Sequence, residues 1–362
     1  MRPTIMEVDI KRYNENMDNI QKYVGNKIMI PVIKANGYGT YINKRIDVIN
    51  RFDIVAVATV DEGVELRELG YKKEIFVLNE PYVDDLESIT KNDIAVGISS
   101  VEFLKEAIKI DDKIRVHLEI ETGMNRTGIK LEELNDFISI IKSSNNVVVE
   151  GVYTHLSSAD FDEEYTLRQL RIFKEAVEVI KENFDTIKYV HSEASNGLLN
   201  YNNADLDVSN AVRPGLIMYG YDSFDGVKEK LNIKPIAKLK SKVIFIKEVN
   251  ENESISYSRR FKTTKKMRIA TVPMGYADGL RRALSNKGIV VINGKKANIV
   301  GSVCMDSVMV DVTDIENVGV GTDVYFWDNE NYTLEEMSDI CDTINYEILC
   351  TISDRVKRVF ID

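Results

Sequence analysis

The sequence is poor in the residues that build metal centres and disulfide frameworks. Its 362 residues include three cysteines, three histidines and one tryptophan. Cys304, Cys341 and Cys350 show neither CxxC nor metal-ligand spacing, and an odd, sparse count is typical of reduced thiols in a cytosol. With so few histidines, we expect no zinc site. The sequence therefore predicts a cytoplasmic protein without a resident metal.

Long apolar runs and an excess of basic charge are also absent. No stretch approaches the length of a membrane span, and the opening residues MRPTIMEVDI contain no apolar core of signal-peptide length. The net charge is −11, from 47 basic and 58 acidic side chains. Nucleic-acid phosphates and anionic lipids are bound by clustered basic residues. We therefore expect a protein that binds neither nucleic acid nor membranes.

The sequence does contain a repeated alternation of apolar runs and amphipathic helical stretches. Near-continuous apolar runs of this kind predict parallel strands that are buried on both faces. Eight such units fit an α/β fold with a (β/α)8 TIM-type barrel, and a doubly wound open sheet is the alternative. The predicted strands cover residues 27–33, 54–59, 74–78, 94–98, 114–120, 147–155, 187–193 and 211–220.

The pattern of predicted secondary structure changes after about residue 230. Short β-rich runs follow one another with turn signals between them, and the Asn-Gly pair at 293–294 predicts a hairpin. We predict a barrel domain over residues 8–230 and a second, mostly β domain over residues 231–362. The segment 1–7 could add a strand to the second domain.

Polar side chains follow several of the predicted barrel strands. In a barrel, the active site lies at the C-terminal ends of the strands, so side chains that follow different strands are expected to converge. The side chains in this position are Lys34, Arg126, His155, Ser195 and Arg213.

The motifs around these residues carry a resemblance. Lys34 lies in VIKANGYG, and the later motifs ETGMNRTG, VRPGLIMYG, SISYSRRF, VPMGYADGL, GSVCMDSVMVDV and INYEILCTIS follow in order. In these motifs the chain resembles the bacterial alanine racemases of fold type III, over essentially its whole length. The resemblance implies a pyridoxal-phosphate enzyme that interconverts L- and D-alanine with two bases and supplies D-alanine for peptidoglycan.

The resemblance also implies a role for each site residue. Lys34 would bind the cofactor covalently and act as the base on one face of the substrate. Tyr257 would act on the other face, from the second subunit of a homodimer with shared active sites. Further cofactor contacts would come from Tyr38, His155, His191, Ser195, Arg213, Gly215, Leu216 and Tyr346. Substrate contacts would come from Arg126, Met305, Tyr276 and Tyr346.

Arg213 is an informative choice of partner for a pyridine nitrogen. A guanidinium does not give up its proton, so it would leave the ring nitrogen unprotonated. The cofactor would then withdraw electrons less strongly, and side reactions such as transamination should be fewer. We expect His191 to hydrogen-bond Arg213 and His155 to pack near the ring.

The chain departs from the family pattern at two places. Many members carry a carbamate-modified lysine seven residues before the arginine of the ETGMNRTG motif, where this chain has Glu119. Glutamate supplies the negative charge directly, so we expect Glu119 to orient Arg126 by a charge-assisted hydrogen bond. The common His-Gly after the first motif is Thr40-Tyr41 here. Asp306 is expected to shape the loop that carries Met305.

Other functions are compatible with parts of the sequence. HSEASNGLLNY and THLSSAD also resemble the catalytic domain of vancomycin-resistance serine/alanine racemases, so serine is an alternative main or additional substrate, although Tyr346 favours alanine. An amino-acid decarboxylase would not clamp the carboxylate as Arg126 would. A non-catalytic homologue would lack Lys34 or Tyr257. A barrel enzyme acting on sugar phosphates without pyridoxal phosphate is the remaining alternative.

Overall fold

The computed structural model describes residues 2–201, 206–221 and 226–362, which form two compact units. The barrel unit consists of Glu15–Gly37 and Ile42–Ile233. The β unit consists of Met1–Asn14, Tyr38–Tyr41 and Lys234–Asp362. Within the described ranges, no helix is both long enough and apolar enough to cross a bilayer.

Parallel strands build the barrel unit. The first strand of the chain, β1 (Ile5–Asp9), belongs to the β unit. The strands of the barrel follow it: β2 (Ile28–Met29), β3 (Ile54–Val57), β4 (Glu74–Val77), β5 (Ala95–Ile98), β6 (Ile114–Glu119), β7 (Val147–Tyr153), β8 (Tyr189–His191) and β9 (Ala211–Val212).

These strands close on one another. Strands β3 to β8 form a six-stranded sheet in chain order, and β2 pairs in parallel with β9. The bridges Val32–Ala56 and Ala194–Arg213 join this pair to β3 and to the residues that follow β8. Among the described residues, the eight strands therefore leave no open sheet edge. The predicted (β/α)8 barrel is confirmed, and the alternative open sheet is excluded.

All eight barrel strands are shorter than predicted, and two of them are shortened the most. The expected strands 27–33 and 211–220 are reduced to β2 and β9, with two residues each. Pro31 and Pro214 interrupt the ladder because proline has no backbone N–H. The chain after Pro214 instead forms a 3₁₀ helix, Leu216–Tyr219.

Helices alternate with the barrel strands along the chain. Side chains at the N-caps favour their starts: Thr59, Ser100 and Asp162 each accept a hydrogen bond from a first-turn N–H. The helices are α1 (Ile10–Val24), α2 (Lys34–Tyr38), α3 (Ile46–Ile49), α4 (Val60–Glu68), α5 (Leu86–Lys91), α6 (Val101–Ala107), α7 (Leu134–Lys142), α8 (Glu163–Asn183), α9 (Ser195–Tyr201) and α10 (Val227–Leu231).

The β unit is built from short, mostly antiparallel strands, as the sequence predicted. Two helices, α11 (Leu334–Ile340) and α12 (Asn345–Thr351), lie in the same part of the chain. The strands are β10 (Ala237–Lys242), β11 (Phe245–Val249), β12 (Ser254–Ile255), β13 (Phe261–Lys262), β14 (Met267–Val272), β15 (Ile289–Ile292), β16 (Lys295–Asn298), β17 (Val308–Asp311), β18 (Asp323–Trp327) and β19 (Lys357–Ile361).

One six-stranded sheet organises this unit. Its strand order is β16-β15-β18-β10-β1-β19, and β1 pairs with β10 antiparallel and with β19 parallel. Strands β15 and β16 form the hairpin that Asn293-Gly294 predicted, and both residues have positive φ, at 49° and 73°. Positive φ at both positions is the geometry of a type I′ turn, which Asn-Gly adopts readily.

Candidate active site

Lys34 follows β2 on a strained turn. Its neighbours Ala35, Asn36 and Gly37 have φ of 52°, 53° and 59°, so the segment is left-handed. Left-handed conformations of residues with a Cβ are unfavourable and concentrate at functional sites. The Ala35 N–H donates to Glu62 Oε1 at 2.7 Å, which helps to hold the turn.

The charged groups that follow the barrel strands meet around His155. Burial lowers the pKa of His155 to about 3, and the positive charges of Arg213, Arg126 and Lys34 act in the same direction. The charges of all three cations therefore act on one imidazole. Lys34, Arg126, His155 and Arg213 are four of the side chains that were predicted to converge, and these charges couple them electrostatically.

Arg213 is held inside the barrel by acceptors on two strands. Nη1 donates to His191 Nδ1 at 2.7 Å and to the His191 carbonyl at 2.6 Å. Nη2 donates to the carbonyls of Thr154 and Ser192 at 2.7 and 3.4 Å. Burial lowers the pKa of Arg213 to about 10, which leaves it cationic at neutral pH. Nε makes no hydrogen bond with any residue that the structure describes.

A second histidine continues this chain of hydrogen bonds. His191 Nε2 lies 3.0 Å from His117 Nδ1. Because a guanidinium can only donate, His191 Nδ1 must accept from Arg213, so His191 Nε2 carries the proton and donates to His117. Burial lowers the pKa of His117 to about 3 and that of His191 well below its ordinary value, so both imidazoles stay neutral.

His117 was not predicted as a site residue. It is buried against the ring of Phe76, with centroids 4.1 Å apart, and a Cβ on Gly151 would lie 2.5 Å from its Nδ1. His117 and Glu119 are two residues apart on β6, and residues at this spacing point to the same face of a strand. This spacing was the only signal in the sequence that both side chains point into the barrel.

Glu119 is buried and faces Arg126. Glu119 Oε1 and Arg126 Nη2 lie 3.9 Å apart, an ion pair longer than the hydrogen bond that we predicted. Burial raises the pKa of Glu119, while hydrogen bonds from Thr127 and Tyr153 and the charge of Arg126 oppose this effect. The Arg126 side chain itself is half exposed.

Ser195 and Gly215 come from different strand ends and are in contact. The Gly215 N–H donates to Ser195 Oγ at 3.1 Å, and the serine is buried. Leu216 begins the 3₁₀ helix that follows, and its N–H bonds to none of the described residues. A hydroxyl and a backbone amide thus lie together at the barrel mouth.

The β unit exposes several of the predicted site residues. Tyr257, Met305 and Tyr276 are 69%, 52% and 44% exposed. Tyr257 opens a 3₁₀ turn between Ser256 and Ser258, both with positive φ. The β unit thus presents all three of these side chains to solvent.

Two loops in this unit lie side by side. The N–H groups of Tyr276 and Ala277 donate to the carbonyls of Cys304 and Met305, each at 3.0 Å. The Met305 N–H bonds to none of the described residues. Asp306 pairs with Arg355 at 2.6 Å, and the rings of Tyr38 and Tyr346 lie 5.9 Å apart.

Sequence models of two known domains match the chain. The model "Alanine racemase, N-terminal domain" covers residues 8–223, and "Alanine racemase, C-terminal domain" covers residues 236–360. The chain belongs to the alanine racemase family.

Individual relatives in this family match the whole chain. An alanine racemase of Clostridium perfringens is 39% identical over 99% of this chain and 96% of its own length. One from Methanococcus maripaludis is 36% identical over 99% of each chain. The crystal structure of alanine racemase from Bacillus anthracis with bound L-Ala-P has a TM-score of 0.92, with 33% identity over 100% of this chain and 96% of that chain.

The family resemblance did not point to a buried ion cluster behind Ser195. Glu193 is fully buried, and Lys27 Nζ lies 3.0 Å from its Oε2. Lys27 also pairs with Asp207, and burial with the nearby Asp207 raises the pKa of Glu193 to about 7. In sequence these residues are far apart, so only the register of β2, β8 and β9 brings them together.

Proposed function

We propose that this chain is a pyridoxal-phosphate-dependent alanine racemase that removes and returns the α-proton with two bases. The observation that carries the proposal is the match of the two alanine racemase domains to residues 8–223 and 236–360, a range that includes Lys34, Arg126 and Arg213. Among these, an amine would serve as one base, and a guanidinium would bind the substrate carboxylate.

The residues at the barrel mouth fit the cofactor. Lys34 offers an amine for its aldehyde, while Ser195 Oγ and the free Leu216 N–H offer donors for its phosphate. Arg213 Nε, which no described acceptor contacts, offers a donor for its ring nitrogen. When bound, pyridoxal phosphate supplies an electron sink that makes the α-proton of an amino acid removable. Tyr38, Tyr346, His155 and His191 would complete the surroundings of the ring and phosphate.

Arg213 would donate a hydrogen bond without giving up a proton. Its two terminal nitrogens are occupied by His191 and two carbonyls, so the guanidinium cannot rotate freely. Both imidazoles of the His191–His117 pair are neutral, so no positive charge from them opposes Arg213. This arrangement would hold the Arg213 cation in place to donate to the ring nitrogen of the cofactor.

The second base would come from a neighbouring copy of the chain. Tyr257 is exposed in the β unit, and so are Met305 and Tyr276. A homodimer with shared active sites would cover all three and would place the phenol on the face of the substrate opposite Lys34. Lys34 would hold the α-proton at Nζ on one face, and Tyr257 would hold it at Oη on the other.

The substrate would be held by its carboxylate. Arg126 is able to bind a carboxylate with two parallel hydrogen bonds, and Met305 has an unused N–H. Tyr276 and Tyr346 would narrow the entrance and exclude large side chains. The names of the relatives do not favour the serine alternative, so we assign L- and D-alanine as the substrates. The reaction would take place in the cytoplasm, and its product, D-alanine, would be used to build peptidoglycan.

Proton exchange tests this function directly. The wild-type protein with added pyridoxal phosphate is incubated in heavy water with L-alanine or L-serine, and α-deuteration and both enantiomers are measured. We expect L-alanine to exchange and racemise. Lys34→Ala should lower the rate on the order of 10³-fold or more.

Lys44→Ala provides the matched control. Lys44 belongs to the same unit and forms a half-exposed ion pair with Glu65, so its loss should leave exchange unchanged. Carbon dioxide release in place of exchange would indicate a decarboxylase. A wild-type protein that neither binds pyridoxal phosphate nor exchanges alanine would refute the proposal.

A further inference from the structure

A buried carboxylate in the β unit is clamped by two arginines. Asp278 is fully buried, and Arg2 donates to its two oxygens from Nη1 and Nη2, at 2.6 Å each. Arg355 Nε lies 3.5 Å from the same carboxylate. The Gly275 N–H donates to Asp278 Oδ2 at 2.8 Å. A buried charge is tolerated when it is paired and hydrogen-bonded in this way.

The same arginines reach the neighbouring loop. Arg355 Nη2 donates to Asp306 Oδ1 at 2.6 Å, and Arg2 Nη2 donates to the Asp306 carbonyl at 3.4 Å. Arg2 Nη2 also donates to the Pro273 carbonyl at 3.0 Å. Two cations and two anions therefore alternate across the loops 273–279 and 304–306, with no net charge.

The loops that the clamp joins carry proposed substrate contacts. Tyr276 lies between Gly275 and Asp278, and Met305 directly precedes Asp306. A Cβ on Gly275 would lie 2.3 Å from the carbonyl oxygens of both Cys304 and Met305, so the two loops touch through backbone. Any shift of Asp278 would therefore move the backbone beside Met305.

We propose that Arg2 and Asp278 are positioning residues that fix the Met305 N–H and the Tyr276 side chain for the substrate carboxylate and side chain. This inference rests on the proposed function, because it assigns a role to residues of that same site. The hydrogen bonds of the clamp that the structure describes are made within the β unit, to the loops that carry Tyr276 and Met305. Its loss should weaken substrate binding more than proton transfer.

Arg2→Lys tests the clamp because it keeps the charge and removes the two-pronged contact. A lysine ammonium cannot donate in the planar fork that matches a carboxylate. We expect the KM for alanine to rise about 5- to 20-fold while kcat stays within about twofold. Turnover of 2-aminobutyrate relative to alanine should rise, since Tyr276 would be held less firmly. Binding of pyridoxal phosphate, followed by its absorbance, should be unchanged.

A double variant and a matched control complete the experiment. Arg2→Ala with Asp278→Ala removes both charges together, so no buried charge is left unpaired, and its KM should rise in the same way. Lys296→Ala breaks an exposed ion pair of the same unit, Lys296–Glu336 at 2.6 Å, and should leave KM and kcat unchanged.

Failure of this inference is distinguishable from failure of the proposed function. If the wild type racemises alanine but Arg2→Lys keeps its KM, or loses kcat at constant KM, the positioning role is refuted. Unfolding of Arg2→Lys, measured as a lost thermal transition, would refute it too, because the pair would then be only structural. If the wild type does not racemise alanine, the proposed function itself fails.

Discussion

The two units hold their site residues in contrasting environments. In the barrel unit, Arg213, His191 and Glu119 are buried, and Arg213 is hydrogen-bonded to His191. In the β unit, Tyr257 and Met305 are more than half exposed. These candidate site residues of the barrel unit are thus packed in its core, whereas those of the β unit face solvent.

The difference in burial between the two units affects the electrostatics of their candidate site residues. Burial lowers the pKa of Arg213 and of the histidines behind it, and it strengthens each hydrogen bond in their chain. Tyr257, in contrast, is exposed to solvent in its own unit. For the two halves to do related chemistry, the exposed residues must be covered, which is the reason for proposing a partner chain.

Complementation between two inactive variants gives the largest expected effect. Lys34→Ala and Tyr257→Phe are each expected to lose nearly all racemisation. If sites are shared between subunits, a mixed dimer contains one site with both bases intact. Half of the dimers are mixed after random exchange, so activity should return to roughly one quarter of wild type. Racemisation of alanine by the refolded or co-expressed mixture measures this.

The control for complementation is a mixture of two variants that both lack Lys34. Lys34→Ala mixed with Lys34→Ala, Tyr257→Phe should stay inactive, because no arrangement restores both bases. Recovery in that mixture would point to contamination. An inactive first mixture that forms dimers normally would show that both bases come from one chain, and the contrast between the units would lose its explanation.

Replacing Glu119 tests whether substrate binding by the barrel unit depends on the negative charge of this buried side chain. Glu119→Gln keeps the size and removes the charge that faces Arg126 at 3.9 Å. We expect kcat/KM for alanine to fall about 10- to 100-fold, mainly through KM, because Arg126 would lose its orientation. Glu119→Lys should be weak in carbon-dioxide-free buffer and should recover when bicarbonate is added, since a carbamate restores the charge. Unchanged kcat/KM in Glu119→Gln would contradict the role.

The positions of candidate site residues at the strand ends were largely predictable from sequence. Lys34, Arg126, His155 and Arg213 each follow a strand, and parallel strands bring their C-terminal ends to one mouth. The order of strands needed no further information, because consecutive strands pair in chain order. Family motifs then suggested a role for each residue.

Contacts that depend on register or on distant segments were not predictable. The His117–His191 bond requires that β6 and β8 present these rings at the same height, and Gly151 leaves room for it. Arg2 and Asp278 are 276 residues apart, and only the pairing of β1 within the sheet brings them together. The 3.9 Å separation of Glu119 and Arg126 reflects how far the loop after β6 extends, which no motif encodes.

The smallest expected effect concerns Glu193, a buried carboxyl group of the barrel unit. Its burial should make the free energy of unfolding depend on pH. Its ordinary pKa is 4.5, and burial and Asp207 raise it to about 7, whereas Lys27 and Arg213 oppose the shift. Between these values the folded protein holds a proton that the unfolded chain releases. The free energy of unfolding therefore falls as pH rises through this window.

In Glu193→Gln this loss should vanish. Relative to the variant, the wild type should lose on the order of 1–3 kcal/mol of stability between about pH 5 and pH 8, measured by urea unfolding at several pH values. The buried histidines titrate equally in both proteins, so their effect cancels in the difference. Glu65→Gln, at a half-exposed ion pair of the same unit, should follow the wild-type curve. If the free energy of unfolding varied with pH in the same way in the wild type and in Glu193→Gln, the prediction would be wrong. Lys27 would then keep Glu193 ionised, and burial in the barrel would not disfavour a charge at this position.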